Sequence, residues 1–192
     1  MHTVDSIEAA FRAEDWETLL ALTDPSASLS ADVGILGFFR LYAFVELGRL
    51  DEAYAILSQS VARFEPATRG KLWRRLASGL DDASRDVEAV DLYRRSIEAL
   101  PHHATAWILL GDVHSRAGEL AAAAECFERA TTCTQGDLDE AWLNLGLVHA
   151  ECGRLQAAEQ CLLRALEITP EYDEAREALL RVRRGDFGGP LA

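Results

Sequence analysis

Between residues 70 and 170 the apolar and small positions recur at a near-constant interval. The segments Gly-Lys-Leu-Trp-Arg-Arg-Leu-Ala (70–77), Ala-Thr-Ala-Trp-Ile-Leu-Leu-Gly (104–111) and Asp-Glu-Ala-Trp-Leu-Asn-Leu-Gly (139–146) align without gaps. The steps from Trp73 to Trp107 and from Trp107 to Trp142 differ in length by a single position. Each tryptophan is followed at the third position by leucine (Leu76, Leu110, Leu145) and then by a small residue (Ala77, Gly111, Gly146). The second half of each interval repeats too. Ala89, Ala123 and Ala158 share one slot, Tyr93, Phe127 and Leu162 the next, and Ser96, Ala130 and Ala165 a third. Spacings of three and four mark one face of an α-helix, so each interval predicts a pair of helices. Gly118 and Gly153 end the first helix of their pairs, as left-handed C-terminal residues do. Pro101 and Pro170 close their units, with Gln135 in that place in the middle one.

Towards the N-terminus the pattern thins. Gly48-Arg49-Leu50-Asp51-Glu52-Ala53 matches Gly153-Arg154-Leu155-Gln156-Ala157-Ala158 in form, and a helix is expected from about Ile35 to Leu47. Glu14-Asp15-Trp16-Glu17-Thr18-Leu19 falls one repeat length before the first of these and reads as a worn first repeat. After Pro170, residues 171–184 predict one more amphipathic helix, with Tyr172, Ala175, Leu179 and Val182 on one stripe.

The pattern Trp-x-x-Leu-Gly, an aromatic, then Ala, an aromatic, Ala and Pro within one such interval, resembles the tetratricopeptide repeat family, best over residues 70–170. His114, His149 and Leu80 depart from it in the aromatic slot of the first helix. The resemblance implies an all-α fold, a right-handed α-α superhelix (solenoid) of about five helical hairpins plus a C-terminal capping helix. The expected organisation is a single solenoid over 1–184. It has degenerate repeats at 4–30 and 35–66, clear repeats at 70–101, 104–136 and 139–170, a cap at 171–184 and a flexible tail at 185–192. Two antiparallel helices cannot bury their apolar faces alone, so units stack and share a core. That core is expected from Trp73, Leu76, Ala89, Tyr93, Trp107, Leu110, Gly111, Ala123, Phe127, Trp142, Leu145, Gly146, Ala158 and Leu162. The small residues admit close helix approach.

Charge and composition narrow the function. The 192 residues carry a formal net charge of −13 and are 49% hydrophobic. Such a polypeptide is repelled by phosphate backbones and anionic lipid, so no nucleic acid and no membrane is expected as partner. The start lacks a basic segment followed by an apolar one, which points to the cytoplasm. Four cysteines, Cys126, Cys133, Cys152 and Cys161, form no Cys-x-x-Cys pair and read as reduced, buried packing residues. No phosphate loop, Gly-x-Ser-x-Gly or His-Glu-x-x-His occurs, so no enzyme and no cofactor is expected. His149 and Cys152 stand one helical turn apart, but His114 and His149 fill aromatic slots. There they are expected to pack and make one hydrogen bond, and no metal is assigned.

The resemblance implies that the first helix of each pair lines a concave groove. By slot, the groove would receive Phe38, Phe39 and Tyr42, then Lys71, Arg74 and Arg75, with Arg69 close by. Next would come Ile108, Leu109 and Asp112, and last Leu143, Asn144 and Leu147. A groove basic in the middle and apolar at its ends suits a protein or peptide segment with acid groups between apolar anchors. Two readings of the basic cluster stay open: a binding site, or a solvated face paired to Asp81, Asp82 or neighbouring acids. The carboxylate clamp of some family members is not matched in order. Lys71 and Arg75 fall in slots of its last unit, and the preceding unit supplies Phe38 and no asparagine. The expectation is a non-catalytic adaptor or scaffold for protein binding. The alternative is a self-association module, a homodimer or larger homo-oligomer formed through Ile35, Phe38 and Phe39 of an exposed N-terminal face.

Overall fold

A computed structural model describes residues 4–24 and 33–186. The end of the first expected repeat (25–30), the side chain of Ile35 and the tail beyond Asp186 lie outside the described residues. The described part is helical: α1 Val4–Arg12, α2 Trp16–Leu22, α3 Val33–Glu46, α4 Leu50–Ser60, α5 Pro66–Asp82, α6 Asp86–Ala99, α7 Ala104–Arg116, α8 Leu120–Thr131, α9 Leu138–Glu151, α10 Leu155–Ile168 and α11 Asp173–Arg184. A 3-10 turn, Val61–Arg63, follows α4. Consecutive helices pack as hairpins, and the polypeptide divides into two compact units between Leu100 and Pro101.

In the first unit α1/α2, α3/α4 and α5/α6 form three hairpins. Asp15 caps α2, its Oδ1 accepting from the Thr18 N–H at 3.1 Å. Pro66 opens α5 at its first turn, where the missing N–H costs nothing. It therefore belongs to the third hairpin, although the sequence pattern placed it at the end of the second. Leu72, Trp73, Leu76 and Leu80 of α5 are buried, as are Ala89, Leu92, Tyr93 and Ser96 of α6. The Ser96 hydroxyl donates to the Gly70 carbonyl at 2.8 Å. A Cβ on Gly70 would stand 2.6 Å from Leu100 Cδ1 and 3.3 Å from the Ala99 Cβ, so a side chain there would have to displace Leu100.

In the second unit α7/α8 and α9/α10 form two hairpins, and α11 packs on α9 and α10. Two apolar clusters hold it. One joins Ile108 of α7, Ala123 and Phe127 of α8 and Leu145 of α9, with Trp107 and Trp142 packed against it. The other joins Leu143 of α9, Ala158 and Leu162 of α10 and Leu179 and Val182 of α11. The connection 132–137 is tied back by three backbone hydrogen bonds: the Ala104 N–H donates to the Gln135 carbonyl at 2.8 Å, and the Thr134 and Gln135 N–H groups donate to the His102 carbonyl at 3.1 and 3.2 Å.

The turns inside the hairpins are alike even where the sequence is worn. Glu14, Gly48, Ser84, Gly118 and Gly153 all sit at φ between 55° and 75°, the left-handed region. In every case the next residue donates its N–H to the carbonyl five positions back: Asp15 to Ala10, Arg49 to Phe44, Arg85 to Leu80, Glu119 to His114 and Arg154 to His149. This closure satisfies helix-end carbonyls that have no intrahelical partner. α11 ends the same way at Gly185 (φ 74°), with Asp186 donating to Arg181, so it terminates like the first helix of a hairpin. Ser84 is exposed and carries the strain of a Cβ at positive φ. Ser84→Gly is expected to raise stability by about 0.5–1 kcal/mol, and Gly118→Ala to lower it by about 1 kcal/mol. Urea denaturation followed by circular dichroism checks both. A Ser84→Gly protein less stable than the parent would contradict the strain argument.

Candidate functional site

α3 is apolar on nearly every side (Val-Gly-Ile-Leu-Gly-Phe-Phe-Arg-Leu-Tyr-Ala-Phe-Val-Glu). A helix of that kind needs cover all round. Leu41, Ala43, Phe44 and Val45 are buried inside the first unit. Phe38, Phe39 and Tyr42 are only half-buried. Part of their cover comes from α1: the Phe11 ring stands 5.2 Å from Phe39, 5.6 Å from Tyr42 and 6.5 Å from Phe38, mostly edge to face. Phe38 and Tyr42 are 4.8 Å apart, and Trp16 closes on Phe11 at 5.8 Å.

α5 adds cations beside this aromatic patch. The Arg75 guanidinium lies 5.9 Å over the Tyr42 ring and pairs with Glu46 of α3. Lys71 is exposed and Arg74 half-buried, and neither has an ion pair among the described residues. The cluster expected at 69–75 therefore splits. Arg75 is held by Glu46 rather than by Asp81 or Asp82. Arg69 leaves the group altogether: at about 100° per residue, Arg69 and Trp73 share one side of α5, and Lys71, Arg74 and Arg75 take the other. Arg69 lines a separate cleft with Trp73 and Arg95.

In the second unit two expected groove residues are corrected. Ile108 is 1% exposed and Leu143 6%. Their positions on α7 and α9 are overlaid by the next helices, so both serve the two apolar clusters. Leu109, Asp112, Asn144 and Leu147 remain half-buried, and Asn144 Nδ2 donates to Asp112 Oδ1 at 3.4 Å between α9 and α7.

The histidines and cysteines differ in their surroundings. His114 Nδ1 is 2.6 Å from Glu119 Oε2 across the hairpin turn. His149 is held below the usual histidine range by desolvation, and its Nδ1 has no hydrogen-bond partner among the described residues. Burial, with help from Glu128, pushes the Cys161 thiol up to about 11, so it stays protonated at neutral pH. Cys126, Cys133 and Cys161 are buried, whereas Cys152 is exposed, a correction to its reading as a packing residue: it caps the solvent end of α9. Among the described residues no three His, Cys, Asp or Glu side chains converge as a metal set. No described helix is long and apolar enough to cross a membrane.

Two residues at the site escape sequence reasoning. Phe11 shields the α3 aromatics, and its signal was the spacing Ile7, Ala10, Phe11 on one face of α1. Glu46 fixes Arg75 from a distant point in the sequence, and nothing local announces that pairing.

Comparison with known proteins places this architecture. Tetratricopeptide repeat family models match residues 76–137 and 139–172, together half of the sequence. The structure is similar to YrrB, described as a TPR protein with an unusual peptide-binding site, at a TM-score of 0.66 and 19% identity, covering 91% of this chain and 89% of that one. It is similar to the C-terminal part of a TPR repeat-containing protein from Cytophaga hutchinsonii at a TM-score of 0.75 and 13% identity, covering 94% and 70%. The first TPR of Spaghetti (RPAP3), bound to the HSP90 peptide SRMEEVD, matches at a TM-score of 0.58 and 17% identity over 64% of this chain and 96% of that one. At these identities the likeness is one of fold. No curated protein sequence matches this one.

Proposed function

Since the chain belongs to the tetratricopeptide repeat family, we propose that it is a non-catalytic adaptor that captures a protein segment on the α3/α5 face of its first unit. The observation that carries this reading is the pairing of half-covered aromatics with cations. Phe38, Phe39 and Tyr42 offer apolar area, and Lys71 and Arg74 stand beside them without ion pairs among the described residues. In a protein of net charge −13 such a basic spot favours an acidic segment locally while the rest of the surface repels one. The partner is an extended or helical segment with acid groups flanked by apolar anchors. YrrB and the Spaghetti repeat bind peptides according to their own descriptions, which supports the class of partner and not the face used. Leu109, Asp112, Asn144 and Leu147 form a second, more polar face within the second unit.

Self-association through the N-terminal face is the weaker reading, because Phe11 already occupies part of the Phe38, Phe39 and Tyr42 surface.

Selection from a random peptide display library tests the proposal. Enriched peptides are expected to place Asp or Glu next to aromatic or aliphatic residues. Arg74→Glu together with Arg75→Glu is expected to leave helicity intact and to weaken these peptides about 100-fold, at roughly tenfold per charge reversed. Arg74→Glu alone, which spares the Arg75–Glu46 pair, is expected to cost about tenfold. Peptides without acid groups, or binding indifferent to Arg74→Glu, would remove the α3/α5 face as the site.

A further inference from the structure

On the opposite side of α5 the first unit holds a cleft of about 420 Å³ lined by Arg69, Trp73, Arg95, Glu98 and Ala99. The second unit holds a cleft of nearly the same size, about 430 Å³, lined by Trp142, Gln160, Cys161, Leu163, Arg164 and Glu167. The two are built from the same repeat slots. Arg95 and Glu98 stand in the same register after Trp73 as Arg164 and Glu167 do after Trp142. The hollow itself is therefore a product of the hairpin geometry and carries no function.

The chemistry of the two differs. In the second unit Arg164 is paired to Glu167, and the slot four positions before the tryptophan is Leu138, which packs into the apolar cluster. In the first unit that slot is Arg69. Its Nε is buried and has no hydrogen-bond partner among the described residues. A buried guanidinium N–H left without an acceptor is costly. Across the cleft the Arg95 guanidinium lies 5.2 Å over the Trp73 ring, with one arm on Asp91 at 2.9 Å. Glu98 is exposed at the rim. The cleft thus sets two guanidinium groups beside an indole.

We propose that Arg69, Trp73 and Arg95 form a carboxylate site that takes an acid group borne on an apolar body, supplied by a partner polypeptide. The acid group pairs with the Arg69 and Arg95 guanidinium groups that line the cleft, and its apolar neighbour lies against Trp73. This site is on the other side of α5 from the face in the proposed function and stands independently of it. Two sources share this chemistry, the terminal carboxylate of a polypeptide and an Asp or Glu side chain. N-acetyl-phenylalanine stands in for the first, and the neutral-ended dipeptide N-acetyl-Asp-Phe-amide for the second.

The test is an NMR titration of the full-length protein, reading the arginine Nε–H and tryptophan indole N–H resonances. At least one acid probe is expected to shift Arg69 Nε–H and the Trp73 indole saturably, with a dissociation constant on the order of 1 mM. The stronger of the two identifies the source. N-acetyl-phenylalanine amide, which lacks the acid, is expected to shift neither, and the Trp142 indole is expected to stay still. Arg69→Gln is expected to lower the affinity at least about tenfold. Glu98→Gln, at an exposed residue, is expected to raise it about threefold by removing a like charge. Equal response at Trp142, equal binding of the amide, or an affinity unmoved by both substitutions would overturn the assignment. Should Arg69→Gln fail to fold, Glu98→Gln and the neutral amide decide between the same outcomes.

Discussion

Replacing Phe127 by alanine is expected to lower the unfolding free energy by about 3–5 kcal/mol, the usual scale for deleting a buried aromatic ring. Phe127 is 1% exposed on α8 and joins residues of α7, α8 and α9 in one cluster. Its ring lies against the bare Cα of Gly111 on α7. The same cluster holds Ala104, Ala123 and Ala130, which have no longer side chain to swing into the space, beside Ile108, Leu145 and Val148. The less such a cavity collapses, the more of its cost remains. Urea denaturation monitored by the helical circular dichroism signal measures the loss. A change below about 1 kcal/mol would mean that the tryptophans at the border, Trp107 and Trp142, relax into the gap.

The second large effect comes from adding an atom where Phe127 needs none. A Cβ on Gly111 would stand 2.6 Å from Phe127 Cε1 and 2.8 Å from Cζ. No carbon tolerates that approach, and an aromatic ring cannot bend aside. Gly111→Ala is therefore expected to destabilise by about 1–3 kcal/mol from overpacking, although alanine is the better helix former by about 1 kcal/mol. The reversal of the propensity rule is the signature. Placed on Phe127→Leu, where the ring is gone, the same Gly111→Ala is expected to cost at least about 1 kcal/mol less. Additive losses in the double variant would show that the two positions do not touch in solution.

The repeated part of the fold was legible because its constraints are local and recur. A tryptophan, a small residue and a bulky residue (Tyr93, Phe127, Leu162) at a fixed interval answer to the same packing three times over. The worn N-terminal hairpins were legible as spacing but not as contacts. Their closure at Glu14 is set by backbone geometry, which any residue can adopt at a cost, so no glycine marks it. The surface was read less well for a related reason. Slots mapped from a family pattern say which side of a helix a residue faces, not whether the next helix lies over it. Ile108 and Leu143 were lost to that distinction. Arg69 and Arg75 are close in sequence and were read as one cluster, yet they turn to opposite sides of α5. Their partners, or lack of them, depend on residues far away along the polypeptide.

The left-handed turns also bear on where this protein tolerates added length. The residues Glu14, Gly48, Ser84, Gly118 and Gly153 mark off four intervals. The one from Gly48 to Ser84 is longer by two positions, and the one from Gly118 to Gly153 by one, than the two that remain. The closure at each turn is the same in every hairpin, so none of the variation is taken up there. The longer intervals contain the 3-10 turn after α4 and the bridged connection at 132–137. Those two connections are thus the natural places to graft a fluorophore, an epitope or a short insert. The hairpin turns, whose tight closures admit no extra peptide unit, are the places to leave alone.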